Sequence, residues 1–288
     1  MSRGTKMREM QSESTMVRPD IATAGPILNR STIPSANPSN TPSPKPAANK
    51  DLTVFADRFE VRRAESREER NLCFELRHQV YCVEREFEEK SDFPDGRESD
   101  LFDRHSIHVL LIDRTSGEAL GTARLVLPHP TLGHPINSVA PGMAERGGVL
   151  PPMRTGEISR FCLSKTIRKS LGRDTASFLP FLPLGLIQGV ITAIYEHRLT
   201  HVCAVMEPAL LRLLTRLGIH FNPWGELVDH HGLRQPCWSN FDVLMDRMFD
   251  ERADVHHYCT TGARAAGVLP EAVARLRPSR SAVAFASC

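Results

Sequence analysis

The chain has 288 residues, 41% of them hydrophobic and 24% charged, with a formal net charge of +2. That length allows one large domain or two small ones, and the near-neutral balance gives no electrostatic argument for nucleic acid or a membrane surface. Seven cysteines are scattered with no C-x-x-C pair and an odd total, which predicts reduced thiols in a cytoplasmic protein and argues against a disulfide framework or a metal centre.

Residues 1–50 are rich in Ser, Thr, Pro, Asn and Lys, as in Asn37-Pro38-Ser39-Asn40-Thr41-Pro42-Ser43-Pro44. Such a segment cannot bury enough apolar surface to offset its ordering entropy. It also lacks the apolar stretch of a secretory signal. It reads as a disordered low-complexity tail, and the folded body is expected over 52–260. Ser66-Arg67-Glu68-Glu69 is a capping-box pattern, with the Ser at the N-cap and a Glu three residues on. The helix it opens is expected to bury Leu72, Leu76, Val80 and Val83 along one face, with Arg77 beside that stripe. An acidic loop follows, from Glu84 to about Glu98. Ser106–Asp113 and Ala119–Leu127 read as a β-hairpin around Arg114-Thr115-Ser116-Gly117-Glu118. A Pro/Gly-rich excursion spans 128–152, and Arg154–Leu163 reads as a third strand.

Phe178–Tyr195 carries no charge and is long enough for a membrane span. Pro180, Pro183, Gln188 and Thr192 and the periodic apolar positions favour a buried helix of a soluble core instead. His201–Met206 is the next strand. Pro208 opens another helix at its first turn, with Leu210, Leu211, Leu214 and Leu217 as its stripe and Gly218 as its stop. A final strand follows. Residues 261–288 are Ala- and Arg-rich and are expected to be a peripheral tail. The mixed order of helices and strands predicts an α/β protein with a mixed central sheet flanked by helices.

Charged residues embedded in apolar sequence are costly unless paired. Arg77 lies in Arg77-His78-Gln79-Val80-Tyr81, Asp100 and Asp103 in Ser-Asp-Leu-Phe-Asp, Arg124 in Gly121-Thr122-Ala123-Arg124-Leu125, and Glu157 and Arg160 in Glu157-Ile158-Ser159-Arg160-Phe161. Three acids and three arginines on separate elements are expected to converge in one partly buried site. Glu157 and Ser159 point to one face of an ideal strand and Arg160 to the other, so Glu157 and Arg160 share a face only if a bulge intervenes. A carboxylate in a partly apolar cleft suits the deprotonation of an amine, because desolvation raises its pKa. The bland alternative for Glu157 is a structural ion pair. His105, His108, His230-His231 and His256-His257 make no metal-ligand spacing and read as surface or loop residues. Cys162, with no His or Asn partner in view, reads as a buried thiol.

In this order the segments resemble the acyl-homoserine-lactone autoinducer synthases. They are still more similar to the related N-acyl amino acid synthases, including the acyltransferases associated with PEP-CTERM/exosortase systems. The resemblance covers roughly residues 54–260 and implies a GNAT-like fold. It makes Glu157, Ser159 and Arg160 the catalytic segment, and Arg77, Asp100, Asp103, Arg124, Phe161 and Cys162 the substrate-binding wall, with no metal. It places a backbone donor for the acyl carbonyl near Phe161 to Leu163. It implies no resident cofactor, an acyl carrier protein thioester as co-substrate, and an amino acid as acceptor. The lactone synthases usually carry a tryptophan shortly after the first helix. Phe87 stands in that region here, and Trp224 and Trp238 come late. Together with Tyr81-Cys82-Val83-Glu84 this favours an N-acyl amino acid product over a lactone made from S-adenosylmethionine. A catalytically silent binding protein of the same fold is the remaining alternative. Arg168, Lys169 and Arg173 form a basic loop without the Gly spacing of a coenzyme A pyrophosphate loop, and are expected to meet the carrier protein.

Overall fold

The computed structural model describes residues 50–141, 150–166 and 177–269. The tail expected over 1–50 and the basic loop with Arg168, Lys169 and Arg173 therefore lie outside the described residues, apart from Lys50. Helix α1 (Lys50–Arg58) leads directly into β1 (Phe59–Arg63), so the folded body begins slightly before the expected boundary. Helix α2 (Arg67–His78) opens with the expected capping box: Ser66 accepts from the Glu69 N–H, and the Glu69 carboxylate accepts from the Ser66 N–H.

The face that α2 buries matches the expected one at Leu76 and Val80 and differs at its two ends. Cys73, Leu76 and Arg77 are buried, whereas Leu72 and Val83 are exposed. At Val83 the reason is a π-helix at Gln79–Glu84, which continues α2 with a wider turn. It shifts the register of everything after His78, turning Val80 and Cys82 inward.

Strands β2 (Ser106–Asp113) and β3 (Ala119–Val126) form the expected hairpin, and β4 (Thr155–Leu163) pairs with β3. A short helix α3 (Ile136–Val139) sits in the loop between β3 and β4. Helix α4 (Leu182–Glu196), strand β5 (His201–Met206) and helix α5 (Pro208–Arg216) follow as expected. No helix among the described residues is long and apolar enough to cross a membrane. Two short strands, β6 (Asn222–Pro223) and β7 (Val228–Asp229), both pair with β8 (Leu233–Asn240). The chain then turns into α6 (Phe241–Glu251) and α7 (Ala253–Ala265). Val255, Tyr258, Cys259 and Ala263 of α7 are buried, as is Leu269. The segment expected to be peripheral from 261 onward thus contributes to the core as far as Leu269.

The main sheet runs β1-β2-β3-β4-β5-β8-β6. All neighbours are antiparallel except β4 and β5. One face of the hairpin packs Leu110 and Ile112 against Cys73 and Leu76 of α2. The other packs Val109, Leu111, Ala123 and Leu125 into the main core with α4. Helix α4 lies close on this face because it presents glycines there. A Cβ on Gly185 would come within 2.6 Å of Leu111, and one on Gly189 would collide with Val109.

Candidate active site

The parallel pairing of β4 and β5 covers only three residues, Thr155–Glu157 against His201–Cys203. Beyond Glu157 the two strands part. In the same stretch β4 carries a bulge against β3: Thr122 faces Cys162 and Arg124 faces Ser159, so two residues of β4 oppose Ala123. Arg160 sits in the bulge in the left-handed region, at φ +49°, a conformation a non-glycine residue adopts only when its surroundings hold it. This is the irregularity that strand parity required. It returns Arg160 to the α2 face, where Arg77, Arg124 and Ser159 already are.

There the charges interlock. Arg77 donates to Glu98 and, through both terminal nitrogens, to Asp103 at 2.7 and 3.1 Å. Arg124 Nη1 donates to Asp100 at 2.6 Å and to Asp103 at 2.7 Å, while its Nε donates to Ser159 Oγ at 3.0 Å. Arg160 donates to both oxygens of Glu98 at 3.0–3.2 Å and lies 3.5 Å from Asp100. Three guanidinium groups thus face three carboxylates. The Asp-x-x-Asp segment is held by its own capping box: Asp100 accepts from the Phe102 N–H and Asp103 from the Asp100 N–H. Burial alone would raise the carboxyl groups of Glu98 and Asp103, but the arginines outweigh it and hold both below the usual carboxylate range.

Two expectations change here. The third acid of the cluster is Glu98, which the sequence reading left inside an acidic loop. Glu157 stands apart, and no cation among the described residues pairs with it directly. Its Oε2 accepts instead from the Ile136 N–H at 2.8 Å, at the start of α3. Burial pushes its carboxyl up to about 8, against the opposing pull of the Ile136 N–H, Arg124 and Arg160. The structural ion pair considered for Glu157 is therefore not what the structure contains.

A cavity of about 420 Å³ passes through the gap between β4 and β5. On the α2 side its wall includes Tyr81, Phe87, Glu88, Glu157, Ser159 and Arg160. On the far side it is apolar, lined by Ile158, Ile187, Ile191, Val202 and Leu214 among others. Phe161 and Cys162 line it as expected. The Cys162 thiol is buried and pushed up to about 12, which suits a wall and not a nucleophile. Arg77, Asp100, Asp103 and Arg124 are absent from the wall. Arg77, Asp103 and Arg124 are almost wholly enclosed behind it, whereas Asp100 and Arg160 keep 26% and 24% of their side chains exposed.

Sequence reasoning missed the mouth. Phe87 stacks on His231 with ring centres 5.1 Å apart, and the guanidinium groups of Arg85 and Arg234 lie 5.8 and 5.6 Å from its ring. Arg234 also pairs with Glu207 at 3.3 Å. His230 and His231, read as loop residues, lie in the loop before β8 and line the cavity. His108, read the same way, is buried beside Asp103 and against Phe74, and burial pushes it down to about 4. No group of His, Cys, Asp or Glu among the described residues is arranged to hold a metal ion.

Residues 76–176, about a third of the chain, match the model of the acetyltransferase (GNAT) domain. The chain carries a GNAT acyltransferase domain. Every member of the ion-pair cluster, and Glu157, falls inside it. No curated protein sequence matches the chain. Among solved structures it is similar to TofI, determined in a ternary complex with an inhibitor and MTA, with a TM-score of 0.51 at 18% identity over 69% of this chain and 99% of TofI. It is also similar to BjaI, a CoA-dependent acyl-homoserine lactone synthase, with a TM-score of 0.49 at 22% identity over 70% and 98% of the two chains. FeeM, an N-acyl amino acid synthase from uncultured soil microbes, gives 0.48 at 16% identity over 68% and 98%. Of these three the TofI match bears on the fold, and at its identity it bears on nothing finer. The GNAT domain agrees with the α/β sheet flanked by helices.

Proposed function

We propose that the protein joins a fatty acyl chain, delivered as an acyl carrier protein thioester, to the α-amine of an amino acid. The observation that carries this reading is the cavity that crosses the sheet. It offers a buried base and charged groups on one face and an apolar channel on the other, with the gap in the sheet between them.

The acceptor enters on the α2 face. Arg160 is partly exposed, and its Nη1, which does not contact Glu98, can donate to the acceptor's carboxylate. Glu88 lines the mouth with 31% of its side chain exposed and only distant partners, Arg160 at 3.9 Å and His231 at 3.8 Å, so it suits the ammonium group, with Asp100 behind it. Arg77, Glu98, Asp103 and Arg124 are scaffolding that fixes Arg160 and Ser159. The acceptor gives up its extra proton to solvent water at the mouth, and its free amine attacks the thioester carbonyl. The N–C bond forms, and the carbonyl oxygen becomes an oxyanion facing the edge of β4 that β5 no longer covers, near Phe161 to Leu163. A backbone N–H of that stretch, the donor that the resemblance implies, stabilises that charge. Glu157 takes the nitrogen proton and passes it to the departing sulfur as the C–S bond breaks. No resident cofactor enters this scheme.

For the donor, Glu84 gives indirect support. Its carboxylate accepts from Ser164 Oγ at 2.6 Å and from the Lys165 and Thr166 N–H groups at 2.8 and 3.1 Å, just after β4. Those amides, already holding an anion, are poor receptors for a second one such as the pyrophosphate of coenzyme A. The Tyr81-Cys82-Val83-Glu84 segment and Phe87 favour the branch associated with PEP-CTERM/exosortase systems, acting in the cytoplasm.

The test is lipid extraction and mass spectrometry of a host expressing the chain. The expected result is a new species with the mass of a fatty acid plus an amino acid less water. An acyl-homoserine lactone instead would assign the chain to the S-adenosylmethionine-using branch. No acylated product at all would support the silent binding protein.

A further inference from the structure

We propose that Phe241, the first residue of α6, is the stop that sets the length of the acyl chain. The proposal rests on reading the apolar half of the cavity as the acyl site and adds its far boundary. The direction of that channel follows from the strands. Strands β4 and β5 are paired at Thr155–Glu157 and open beyond, so the mouth lies toward Leu163 and Met206 and the closed end toward Thr155 and His201. Helix α4 runs back from the mouth to the closed end. Its residues Ile187, Ile191 and Ile194 line the channel in turn, covering about 10 Å at 1.5 Å per residue.

Phe241 is pinned at that closed end. The preceding Asn240 pairs with His201 in the sheet, and the Phe241 N–H donates to the Thr200 carbonyl at 2.9 Å. Asn240 also caps α6, its side-chain oxygen accepting from the Val243 N–H at 3.1 Å. The Phe241 ring lines the cavity and packs edge-on against Tyr195 at 4.9 Å between ring centres. Only 2% of Phe241 is exposed. Backbone, cap and neighbour all hold the ring, so a chain reaching it has no cheap way to push it aside. A water-sized unit occupies about 30 Å³, and a methylene is of similar size, so 420 Å³ holds on the order of fourteen such units including the polar mouth. The mouth takes part of that volume, so the channel fits acyl chains of about ten carbons.

The experiment measures binding, so it is independent of turnover. Purified full-length protein is titrated with saturated fatty acids from six to eighteen carbons, by displacement of a fluorescent fatty acid. Wild type is expected to bind best at about ten carbons and about tenfold more weakly two to four carbons beyond its optimum. Phe241→Leu should move the optimum up by about two carbons. Ile194→Phe, which fills the same end, should move it down, and it decides the question if Phe241→Leu fails to fold. An optimum that neither variant moves, or affinity that rises steadily to eighteen carbons in wild type, overturns the proposal. A shifted binding profile without any acyl-transfer product would leave the ruler standing and remove the enzymatic reading.

Discussion

Glu157 is buried with one backbone N–H as its direct partner, and that sets how it titrates. Its folded carboxyl lies at about 8, above the ordinary 4.5. A group raised in this way contributes stability that is full below about 4.5 and is lost as pH rises toward 8. The melting temperature of the wild type should therefore fall relative to that of Glu157→Gln across this window. Parallel profiles for the two proteins would show that Glu157 is not held protonated. Glu98 behaves oppositely, because it is clamped between Arg77 and Arg160. Replacing it with Gln leaves the enclosed Arg77 and the partly exposed Arg160 short of a counter-charge, at a cost of about 3 kcal/mol. Equilibrium denaturation checks this, and a loss under 1 kcal/mol would mean the cluster relaxes freely.

At the scale of elements, α4 defines the floor of the channel because two glycines let it lie close on the sheet. Gly189→Ala places a methyl against Val109 and Val61 and should cost about 1–3 kcal/mol, read as a lower denaturation midpoint. An unchanged midpoint would show that α4 can lift. The elements legible in the sequence were those with local signals: the Ser66 capping box, the β2–β3 hairpin, the apolar α4 and the proline-started α5. What escaped depended on distant partners. The π-turn after His78 has no local signature, and it inverted which of Cys82 and Val83 is buried. The bulge at Arg160 was required by parity but visible only in the β3–β4 register. Glu98 sits among Glu88, Glu89, Asp92 and Asp95, and nothing local separates a clamped carboxylate from its solvated neighbours. Strand β8, with Pro236 and Gln235 in it, lacks the alternation of an ordinary strand, so its bounds and the helices beyond it were not read.

At the scale of the whole molecule, the charged cluster, the gap in the sheet and the apolar channel lie in one continuous body that begins at α1. Residues 1–49 have a composition that cannot form a core, so removing them should leave the melting temperature within about 2 °C and turnover nearly unchanged. A large drop in either would show that the segment belongs to the folded protein. The account as a whole stands on Glu157 acting as the base in N-acylation. Its most direct test is the formation of N-acyl amino acid from an acyl carrier protein thioester by purified wild type and Glu157→Gln, followed across pH. The substitution keeps an acceptor for the Ile136 N–H while removing the base. The wild-type rate should climb through about pH 8, and the variant should be slower by roughly 10²–10⁴-fold, its residual rate rising only as free amine forms in solution. Near-wild-type turnover by a correctly folded Glu157→Gln protein would contradict it.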